Sequence, residues 1–383
     1  MKFSFDKKSL SEALSIAQEI ISIKNTGSTI SNILFISKKD RIYIKATDVK
    51  TNYEAEILAQ IFEEGSLFVH CNKFIEILNS LPTGEIEVFQ KDDEQKNDEN
   101  VDGNKGEFIT IIIKPALEKI NFQMKTLPHK KFPEFSFTDD IPYFEISSKI
   151  FKEMISQTLF AVSTEEMRYF MNGVFFEKKD NDLILVATDG RRLSFISKTV
   201  ANEKDFSSVI VHPKILNIVL KYAPDEGSVF IAFVEKKFFC KFSNYKFSAA
   251  LLEGQFPNYT RVIPKKQSFV FYVKKIDLKN ALTKHISLML DKKIGRIFFN
   301  VSTDVLNITS LQPDVGSVDE EIPCKFSGEP CTIAFNFNYI EEPVREINTE
   351  TIAFEFTEEM KAVTLRPEPA QDYFHIIMPM QKE

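Results

Sequence analysis

Two carboxylates and two arginines are the residues whose types and spacing could support chemistry. Asp48 and Asp189 each follow an Ala-Thr pair, and Arg191 and Arg192 come shortly after Asp189. Paired carboxylates could bind a metal ion, whereas arginines beside a fixed turn could bind carboxylates or phosphates. The Asp-Gly step at 189–190 is better explained as a turn, since Asp and Gly favour the backbone angles that tight turns require. We therefore expect an arginine-bearing turn at this position.

The sequence contains none of the common catalytic motifs. The five histidines, at 70, 129, 212, 285 and 375, form no H-x-x-x-H pair, and neither a G-x-S-x-G motif nor a phosphate-loop lysine motif occurs. The four cysteines, at 71, 240, 324 and 331, include no C-x-x-C pair and are expected to be reduced structural thiols. The sequence therefore predicts a protein that is not an enzyme and that needs neither a cofactor nor a metal ion.

Composition narrows the class of protein further. The chain has 383 residues, of which 43% are hydrophobic and 27% charged, so it can bury the cores of two to four domains. No apolar run approaches roughly 18 residues, and no signal-peptide core precedes the first strand pattern, which predicts a cytoplasmic protein without membrane contact. The formal net charge of −7 opposes nucleic-acid binding over the whole surface but is compatible with a local basic face.

The arginine-bearing turn belongs to a segment, residues 172–198, that predicts three short β-strands. Residues 174–177 and 183–188 are rich in Val, Ile, Phe and Leu, and a polar run separates them. The Asp-Gly step is a two-residue hairpin signal before the third strand. The elements around the turn therefore predict a hairpin with a basic corner.

A strand that leads into an amphipathic helix begins three times in the sequence. The segments start at Phe3, Phe144 and Phe271, and in each one apolar residues recur at offsets +2, +7, +10 and +11. In the first copy Leu10 and Leu14 mark one face of the helix, which Ala17 and Ile21 continue. The copies start 141 and 127 residues apart, which is the spacing of a domain rather than of a solenoid repeat.

Each copy also repeats within itself. A second strand-to-helix segment occurs near 66–80, 207–222 and 331–346, and about three strands follow each one. The fold class is therefore α+β, with three similar domains that each consist of two helix-plus-antiparallel-sheet halves. The predicted domains span residues 1–138, 143–264 and 268–383.

Residues 90–107 interrupt the pattern of the first copy. The segment is polar and acidic and contains no aromatic residue, and it separates a strand that ends at Phe89 from one that begins at Phe108. Such a composition predicts a disordered hairpin extension. An acidic docking loop is the alternative.

Four ordered motifs resemble the bacterial sliding clamp family, the β subunit of the replicative DNA polymerase III. They are Arg168-Tyr-Phe-Met171-Asn-Gly173, Ala187-Thr-Asp-Gly190-x-Arg192-Leu193, Phe256-Pro257-x-Tyr259-x-Arg261-Val262 and Met378-Pro379-Met380. The resemblance covers essentially the whole chain. It implies the DNA clamp fold and a head-to-tail homodimer that closes into a ring around duplex DNA without regard to sequence. The implied function is that of a processivity factor that tethers the replicative DNA polymerase, the clamp loader and repair proteins through short peptide motifs.

The resemblance also implies residues that contact DNA. Lys24 stands where the family has a DNA-contacting arginine, and Arg168 adds a second cation. Tyr169 and Phe170 could stack on exposed bases, and ordinary packing is the alternative for Phe170. The six predicted helices carry a net positive formal charge and the rest of the chain a negative one. That distribution has the sign that attraction to phosphates requires.

A peptide-binding groove between the second and third domains is the other implied site. Its apolar side chains would anchor a peptide, and its arginines could orient peptide carbonyl groups or acidic side chains. Gln381 and Lys382 depart from the family pattern after the Met-Pro-Met motif, which affects the polar rim of the groove. The residues that would form the groove are Arg168, Met171, Thr188, Gly190, Arg191, Arg192, Leu193, Pro257, Arg261, Val262, Asn336, Tyr339, Ile376, Ile377, Met378, Pro379 and Met380.

The dimer contacts follow from the same resemblance. Phe122 and Met124, at the end of the first domain, would face Leu288 and Met289 of the partner chain. Packing of all four side chains in their own domain cores is the alternative. A monomeric repeat scaffold that binds proteins without encircling DNA is the alternative function, and the oligomeric state distinguishes the two.

Overall fold

The computed structural model describes most of the chain. The described residues are 1–21, 31–91, 109–116, 119–127, 132–138, 140–200, 205–288, 295–312 and 316–382. Lys24, Met289 and all but the first two residues of the 90–107 segment lie outside them. Within these ranges, no helix is both long enough and apolar enough to cross a bilayer.

Short strands and a few helices make up each third of the chain. The first third contains β1 (Lys2–Asp6), α1 (Lys7–Ile20), β2 (Asn32–Lys38), β3 (Arg41–Thr47), β4 (Thr51–Leu58), β5 (Gln60–Glu63), β6 (Gly65–His70), α2 (Cys71–Ser80), β7 (Glu85–Gln90), β8 (Ile109–Pro115) and β9 (Phe122–Thr126). The middle third contains β10 (Phe144–Ser147), α3 (Ser148–Leu159), a 3₁₀ segment (Glu166–Met171), β11 (Val174–Lys179), β12 (Asp182–Thr188), β13 (Arg192–Thr199), β14 (Val209–Val211), α4 (Pro213–Tyr222), β15 (Ser228–Val234), β16 (Lys237–Phe242), β17 (Tyr245–Ala250) and a 3₁₀ turn (Tyr259–Arg261). The last third contains β18 (Phe269–Lys274), α5 (Lys275–His285), a 3₁₀ turn (Ile286–Leu288), β19 (Arg296–Ser302), β20 (Val305–Gln312), β21 (Gly316–Lys325), β22 (Cys331–Asn336), α6 (Phe337–Glu346), β23 (Thr351–Phe356), β24 (Val363–Glu368) and β25 (Tyr373–Ile377).

The predicted repeat of a strand that leads into a helix is confirmed in all six places. Each of α1 to α6 follows a strand directly or after one residue. In α1 the side chain of Asp6 accepts hydrogen bonds from the backbone N–H groups of Lys8 and Ser9 and so caps the helix. The predicted apolar face, which includes Leu10 and Leu14, is buried. The cap therefore sets where α1 starts, and the helical period of its apolar residues sets which face is buried.

The chain divides into two compact units. The first comprises Met1–Ser148 and Asn217–Ala250, and the second comprises Lys149–Leu216 and Leu251–Glu383. The first unit contains a sheet of order β5-β1-β7-β8-β9 and a larger one of order β10-β15-β16-β17-β4-β3-β2-β6. The second contains a sheet of order β14-β11-β12-β13-β25-β24-β23-β18-β21-β20-β19-β22. Each of the two larger sheets thus combines strands from two successive sequence repeats.

Two strand pairs make these connections between repeats. In the first unit β4 pairs with β17 antiparallel, and Tyr53 lies opposite Phe247. In the second unit β13 pairs with β25 antiparallel, and Phe195 lies opposite Phe374. We call the β4–β17 pair the first junction and the β13–β25 pair the second junction. Backbone hydrogen bonds across each junction tie one repeat to the next.

Equivalent turns precede the two junctions. Thr47 Oγ1 accepts a hydrogen bond from the backbone N–H of Val49 (2.9 Å), as Thr188 Oγ1 does from Gly190 (3.0 Å). The residue after the aspartate has a positive φ in both turns, 77° at Val49 and 88° at Gly190. Glycine adopts this conformation freely, whereas a β-branched residue is strained in it.

We expect Val49→Gly to stabilise the protein. Relief of the left-handed strain at a β-branched residue, less the extra freedom of glycine in the unfolded chain, should raise the free energy of unfolding by about 1 kcal/mol. The Val49 side chain is 68% exposed, so its removal costs little buried surface. Urea denaturation followed by circular dichroism measures the change, with Val49→Ala as the control because alanine keeps most of the strain. A lower unfolding midpoint for Val49→Gly would contradict this prediction.

Candidate functional site

The β12–β13 turn is held by its own side chains. Asp189 Oδ1 accepts hydrogen bonds from the backbone N–H groups of Arg191 (2.9 Å) and Arg192 (3.1 Å). Thr188 Oγ1, besides accepting from Gly190, donates to the carbonyl oxygen of Arg192 (2.6 Å). The predicted turn at Asp-Gly is therefore confirmed, but the prediction of a two-residue hairpin loop is wrong, because Thr188 pairs with Leu193 and four residues, 189–192, lie between them. It determines the position from which the Arg192 side chain extends.

Arg192 has partners within the chain for all three guanidinium nitrogens. Nε donates to Asp189 Oδ2 (3.0 Å), Nη1 donates to Glu342 in α6, and Nη2 donates to the carbonyl oxygen of Phe160 (2.6 Å). The guanidinium carbon also lies 4.6 Å from the centroid of the Tyr339 ring. The side chain is only 10% exposed. Arg192 thus joins the turn, the end of α3 and helix α6, a task that needs the planar, forked donor set of arginine.

The two candidate carboxylates of the metal-site alternative each close a turn. Asp48 Oδ1 accepts from the backbone N–H groups of Lys50 (3.1 Å) and Thr51 (2.6 Å), as Asp189 does in the second turn. Across the described ranges, no three His, Cys, Asp or Glu side chains are grouped so that they could hold a metal ion.

An apolar surface lies beside the Arg192 turn. The Phe195 and Phe374 rings stack with their centroids 4.9 Å apart, and those of Phe175 and Phe256 stack at 4.7 Å. We call this cluster the apolar floor. Its partly buried members, Phe195 and Phe175 among them, present apolar surface to solvent. The buried members are Ile184, Val186, Leu193, Ile210, Phe256, Tyr259, Phe374 and Ile376, and the partly buried ones are Phe170, Phe175, Phe195, Leu252, Ile263 and Ala362.

The opposite face of the second junction carries a buried histidine. His375 lies between Phe374 and Ile376 on β25, so its side chain points away from the apolar floor. Its Nδ1 is 3.0 Å from Ser194 Oγ, and its ring packs on Phe160. Burial lowers the pKa of His375 to about 3, and the charge of Arg192 acts in the same direction. The imidazole is therefore neutral, and it supports the junction from behind.

Residues 378–380 continue the chain beyond β25, whose Phe374 and Ile376 belong to the apolar floor, and we call them the rim. The backbone N–H of Met378 donates to the carbonyl oxygen of Arg191 (2.9 Å), and that of Met380 donates to the carbonyl oxygen of Ala334 (2.7 Å). Met378 is 44% exposed, and Pro379 and Met380 are partly exposed. The side chains of Met378 and Met380 are therefore at least partly exposed, while their backbone is hydrogen-bonded.

The Glu166–Met171 segment forms another edge of the site. The Arg168 side chain is half-exposed, with Nε 3.4 Å from Glu165 Oε2. Tyr169 is 55% exposed, whereas Phe170 is partly buried against the apolar floor and Met171 is buried. The packing alternative for Phe170 thus matches its contacts, and Tyr169 is the aromatic side chain that is open to solvent.

The remaining residues of the predicted groove divide into exposed and structural ones. Pro257, Arg261 and Val262 are exposed around the 3₁₀ turn that follows β17. Asn336 caps α6, since its Oδ1 accepts from the backbone N–H of Asn338 (3.0 Å). Ile377 is buried. Among the predicted groove residues, the exposed cations are therefore Arg168, Arg191 and Arg261.

The predicted dimer residues lie on strand edges and turns. Phe122 and Met124 alternate with exposed residues on β9, which is an outer strand of the five-stranded sheet. Both side chains are only partly buried. The backbone of Leu288 ends the 3₁₀ turn after α5, next to β21.

The sequence did not indicate that Glu342 and Phe160 belong to the site, nor did it indicate most of the apolar floor. Glu342 and Phe160 lie 150 and 32 residues from Arg192 along the chain, so no local pattern connects them. Phe195 and Phe374 each lie on a strand, where successive side chains point to opposite faces. The alternation of side chains along these two strands could have indicated the apolar floor.

The first junction has polar pairs where the second has apolar ones. Asn52 lies opposite Ser248, with Asn52 Nδ2 donating to Ser248 Oγ (3.0 Å). Glu54 lies opposite Lys246 and pairs more closely with Lys45 (3.0 Å). Counted from the preceding turn, these positions correspond to the Leu193–Ile376 and Phe195–Phe374 pairs of the apolar floor. At these paired positions the second junction is therefore apolar and the first is polar, although the first unit has a smaller apolar cluster of its own at Leu34, Phe68 and Phe132.

Comparison with known proteins identifies the framework. The N-terminal, central and C-terminal domain families of the DNA polymerase III beta subunit match residues 1–136, 145–258 and 260–381. The beta sliding clamp of Treponema pallidum is 37% identical over 388 residues and covers the whole of both chains, and that of Pseudomonas aeruginosa is 24% identical over 384 residues, again with complete coverage. The crystal structure of the Bacillus subtilis DNA polymerase sliding clamp matches over the full length of both chains, with a TM-score of 0.89 and 22% identity. A Pseudomonas aeruginosa clamp structure described as bound to griselimycin has a TM-score of 0.87 at 23% identity and covers 100% of this chain and 99% of that one.

Three consecutive domains of one helix-and-antiparallel-sheet design, with an apolar floor at the second junction, define a DNA clamp. The class is that of processivity factors of DNA replication, which have no catalytic role of their own. The chain belongs to the family of the bacterial β sliding clamp, the β subunit of DNA polymerase III.

We expect Arg192→Ala to destabilise the second unit. The substitution leaves the Asp189 and Glu342 carboxylates and the Phe160 carbonyl without their shared donor, which should lower the free energy of unfolding by about 2–3 kcal/mol. Urea denaturation measures the loss. Arg191→Ala is the matched control, because the Arg191 side chain is exposed, and it should change stability by about 0.5 kcal/mol or less. If the two substitutions lowered the free energy of unfolding equally, the hydrogen bonds of Arg192 would add no more stability than an exposed side chain does.

Proposed function

We propose that two copies of this chain close head-to-tail into a ring around duplex DNA and carry replication proteins along it. The observation that supports the tethering role is the apolar floor at the second junction, beside three exposed arginines. We retain the domain bounds 1–138, 143–264 and 268–383 as part of the proposal. The working site would be the cytoplasm, where the replicative DNA polymerase, the clamp loader and repair proteins act on bacterial DNA.

The apolar floor and its rim suit a short peptide with bulky apolar side chains. Phe175 and Phe195, which are partly exposed, would supply an anchoring surface above the buried Leu193, and Met378 and Met380 have flexible side chains that adapt to several ligands. Arg168 and Arg261 are exposed and could pair with peptide carbonyl or carboxylate groups. Arg192 would act indirectly, by holding the turn beside the floor. We also propose that griselimycin, which a related clamp binds, occupies this surface.

Exposed lysines on the helices support the attraction to DNA. Lys149 on α3 and Lys279 on α5 lie on helix faces that are open to solvent, while the apolar faces of these helices are buried. Such cations provide weak, sequence-independent contacts with phosphates, which allow sliding. Arg168 and Tyr169 would add a cation and a stacking surface, and Lys24 remains a predicted contact.

Two strand edges are suited to the dimer contact. In the described chain β9 pairs in the sheet only with β8, and β21 pairs with β18 only at Lys325 and Cys324. Edges of this kind join by strand addition. Phe122 and Met124 would then bury apolar surface against residues 288–289 of the partner chain. The ring would contain this head-to-tail contact twice. The β9 edge and the β21 edge of each chain would then both be covered by the partner chain.

We expect the double substitution Leu193→Ala with Met380→Ala to weaken peptide binding more than tenfold. Met380→Ala removes a partly exposed anchor, and Leu193→Ala leaves a gap in the floor beneath a bound side chain; each loss at an apolar contact costs about 1–3 kcal/mol. The probe is a fluorescein-labelled peptide with two adjacent bulky apolar residues, titrated by anisotropy and competed with griselimycin. Leu58→Ala is the control, because Leu58 is 67% exposed and belongs to the first unit, whereas the apolar floor lies in the second. Unchanged affinity in the double variant, with its fold and dimer intact, would refute this groove assignment.

We expect Met124→Asp to convert the dimer into a monomer and to abolish retention on circular DNA. A charge in the apolar contact would remain unpaired and desolvated. Light scattering gives the mass, and loading onto nicked plasmid by the clamp loader, followed by linearisation, tests the ring. The unmodified protein should stay on the circle and slide off the linear form. Gln123→Asp is the control, since Gln123 points to the opposite face of β9. A monomeric unmodified protein would instead favour the scaffold alternative.

A further inference from the structure

Residues 378–382 are attached to the second unit at three alternate positions. The backbone N–H groups of Met378 and Met380 donate to carbonyl oxygens of the β12–β13 turn and of β22. Two residues further on, Lys382 Nζ forms an ion pair with Glu359 Oε2. The spacing of two residues is that of an extended chain, in which alternate groups point to the same side.

Glu359 is itself held by the backbone of β22. Its second oxygen, Oε1, accepts a hydrogen bond from the N–H of Thr332 (2.8 Å). Thr332 precedes by two residues the carbonyl group that receives the Met380 N–H. Lys382 and the Thr332 N–H both favour the ionised carboxylate and so lower the pKa of Glu359. Glu359 therefore connects the outer edge of β22 with the side chain of Lys382.

The position of this contact relates it to the rim of the apolar floor. β22 ends the order of the twelve-stranded sheet, and in the described residues its only strand partner is β19. The 378–382 segment runs along the other edge of β22 through the Met380 hydrogen bond, which protects that edge. Met378 and Met380 lie between the end of β25 and the ion pair. Their backbone is thus held at both ends, while their side chains stay partly exposed.

We propose that the Glu359–Lys382 ion pair is a positioning element for the peptide groove. It holds the 378–380 rim in the conformation that a bound peptide meets, so less chain entropy is lost when the peptide binds. This inference rests on the proposed function of the groove. Glu359 and Lys382 would be positioning residues, because they act through Met378 and Met380 and do not contact the peptide.

Substitution of either partner should weaken binding of the labelled apolar peptide by about two- to fivefold, the range expected for a partly exposed ion pair. Glu359→Gln and Lys382→Gln should each have this effect, and the double variant should be no worse than either one. Lys382→Arg keeps the ion pair and should keep the affinity. Glu358→Gln and Lys361→Gln are matched controls. Both residues are exposed, lie in the same loop as Glu359 and make no ion pair with Lys382.

A second measurement separates positioning from a general loss of stability. With ¹³C-methyl methionine, the Met378 and Met380 signals of Glu359→Gln should shift or broaden in the absence of peptide, while the thermal midpoint stays within about 1 °C of the unmodified protein. If Glu359→Gln binds normally while Leu193→Ala with Met380→Ala binds weakly, the ion pair has no positioning role. If additive losses are found in the double variant, the two residues act separately and the proposal is also overturned. If the unmodified protein does not bind the peptide, the groove proposal itself fails.

Discussion

The guanidinium group of Arg192 holds together three parts of the second unit that are distant in sequence. It binds the Asp189 carboxylate of its own turn, the Glu342 carboxylate of α6 and the carbonyl oxygen of Phe160 after α3. A lysine could not make these contacts at once, since its single ammonium group lacks the planar fork. This turn adjoins the second junction, the apolar floor and the 378–380 rim. Their arrangement therefore depends on one largely buried, fully partnered cation.

The two junctions show how equivalent positions of a repeated framework acquire different surfaces. Both have the same turn, the same strand pairing and the same register, because each repeat must join the next through backbone hydrogen bonds. They differ in the residues that point outward from the paired strands. At the first junction Asn52 donates to Ser248, and Glu54 pairs with Lys246 and more closely with Lys45, so the surface at these positions is polar. Apolar residues at the equivalent positions of the second junction leave a surface that gains free energy when a ligand covers it.

Local patterns were sufficient for the helices, most strands and the arginine-bearing turn. All six predicted strand-to-helix segments are present, because apolar period and capping residues act over a few positions. The role expected of Arg192 illustrates the limit. Its type and position beside Asp-Gly indicated a ligand-binding cation, but its charge is balanced by Glu342, 150 residues away. The functions proposed for Lys24 and Met289 remain predictions, since both lie outside the described residues.

The sequence by itself determined the repeat, the α+β class, the turn and the family resemblance, because each depends on residue types at short or regular spacing. Only the tertiary structure decided which arginine is buried and partnered and which are exposed. It alone showed that Phe170 packs on the floor while Tyr169 faces solvent, and that Lys382 pairs with Glu359. These properties depend on contacts between residues far apart in the chain, and burial and pairing energies arise only when the fold brings such residues together.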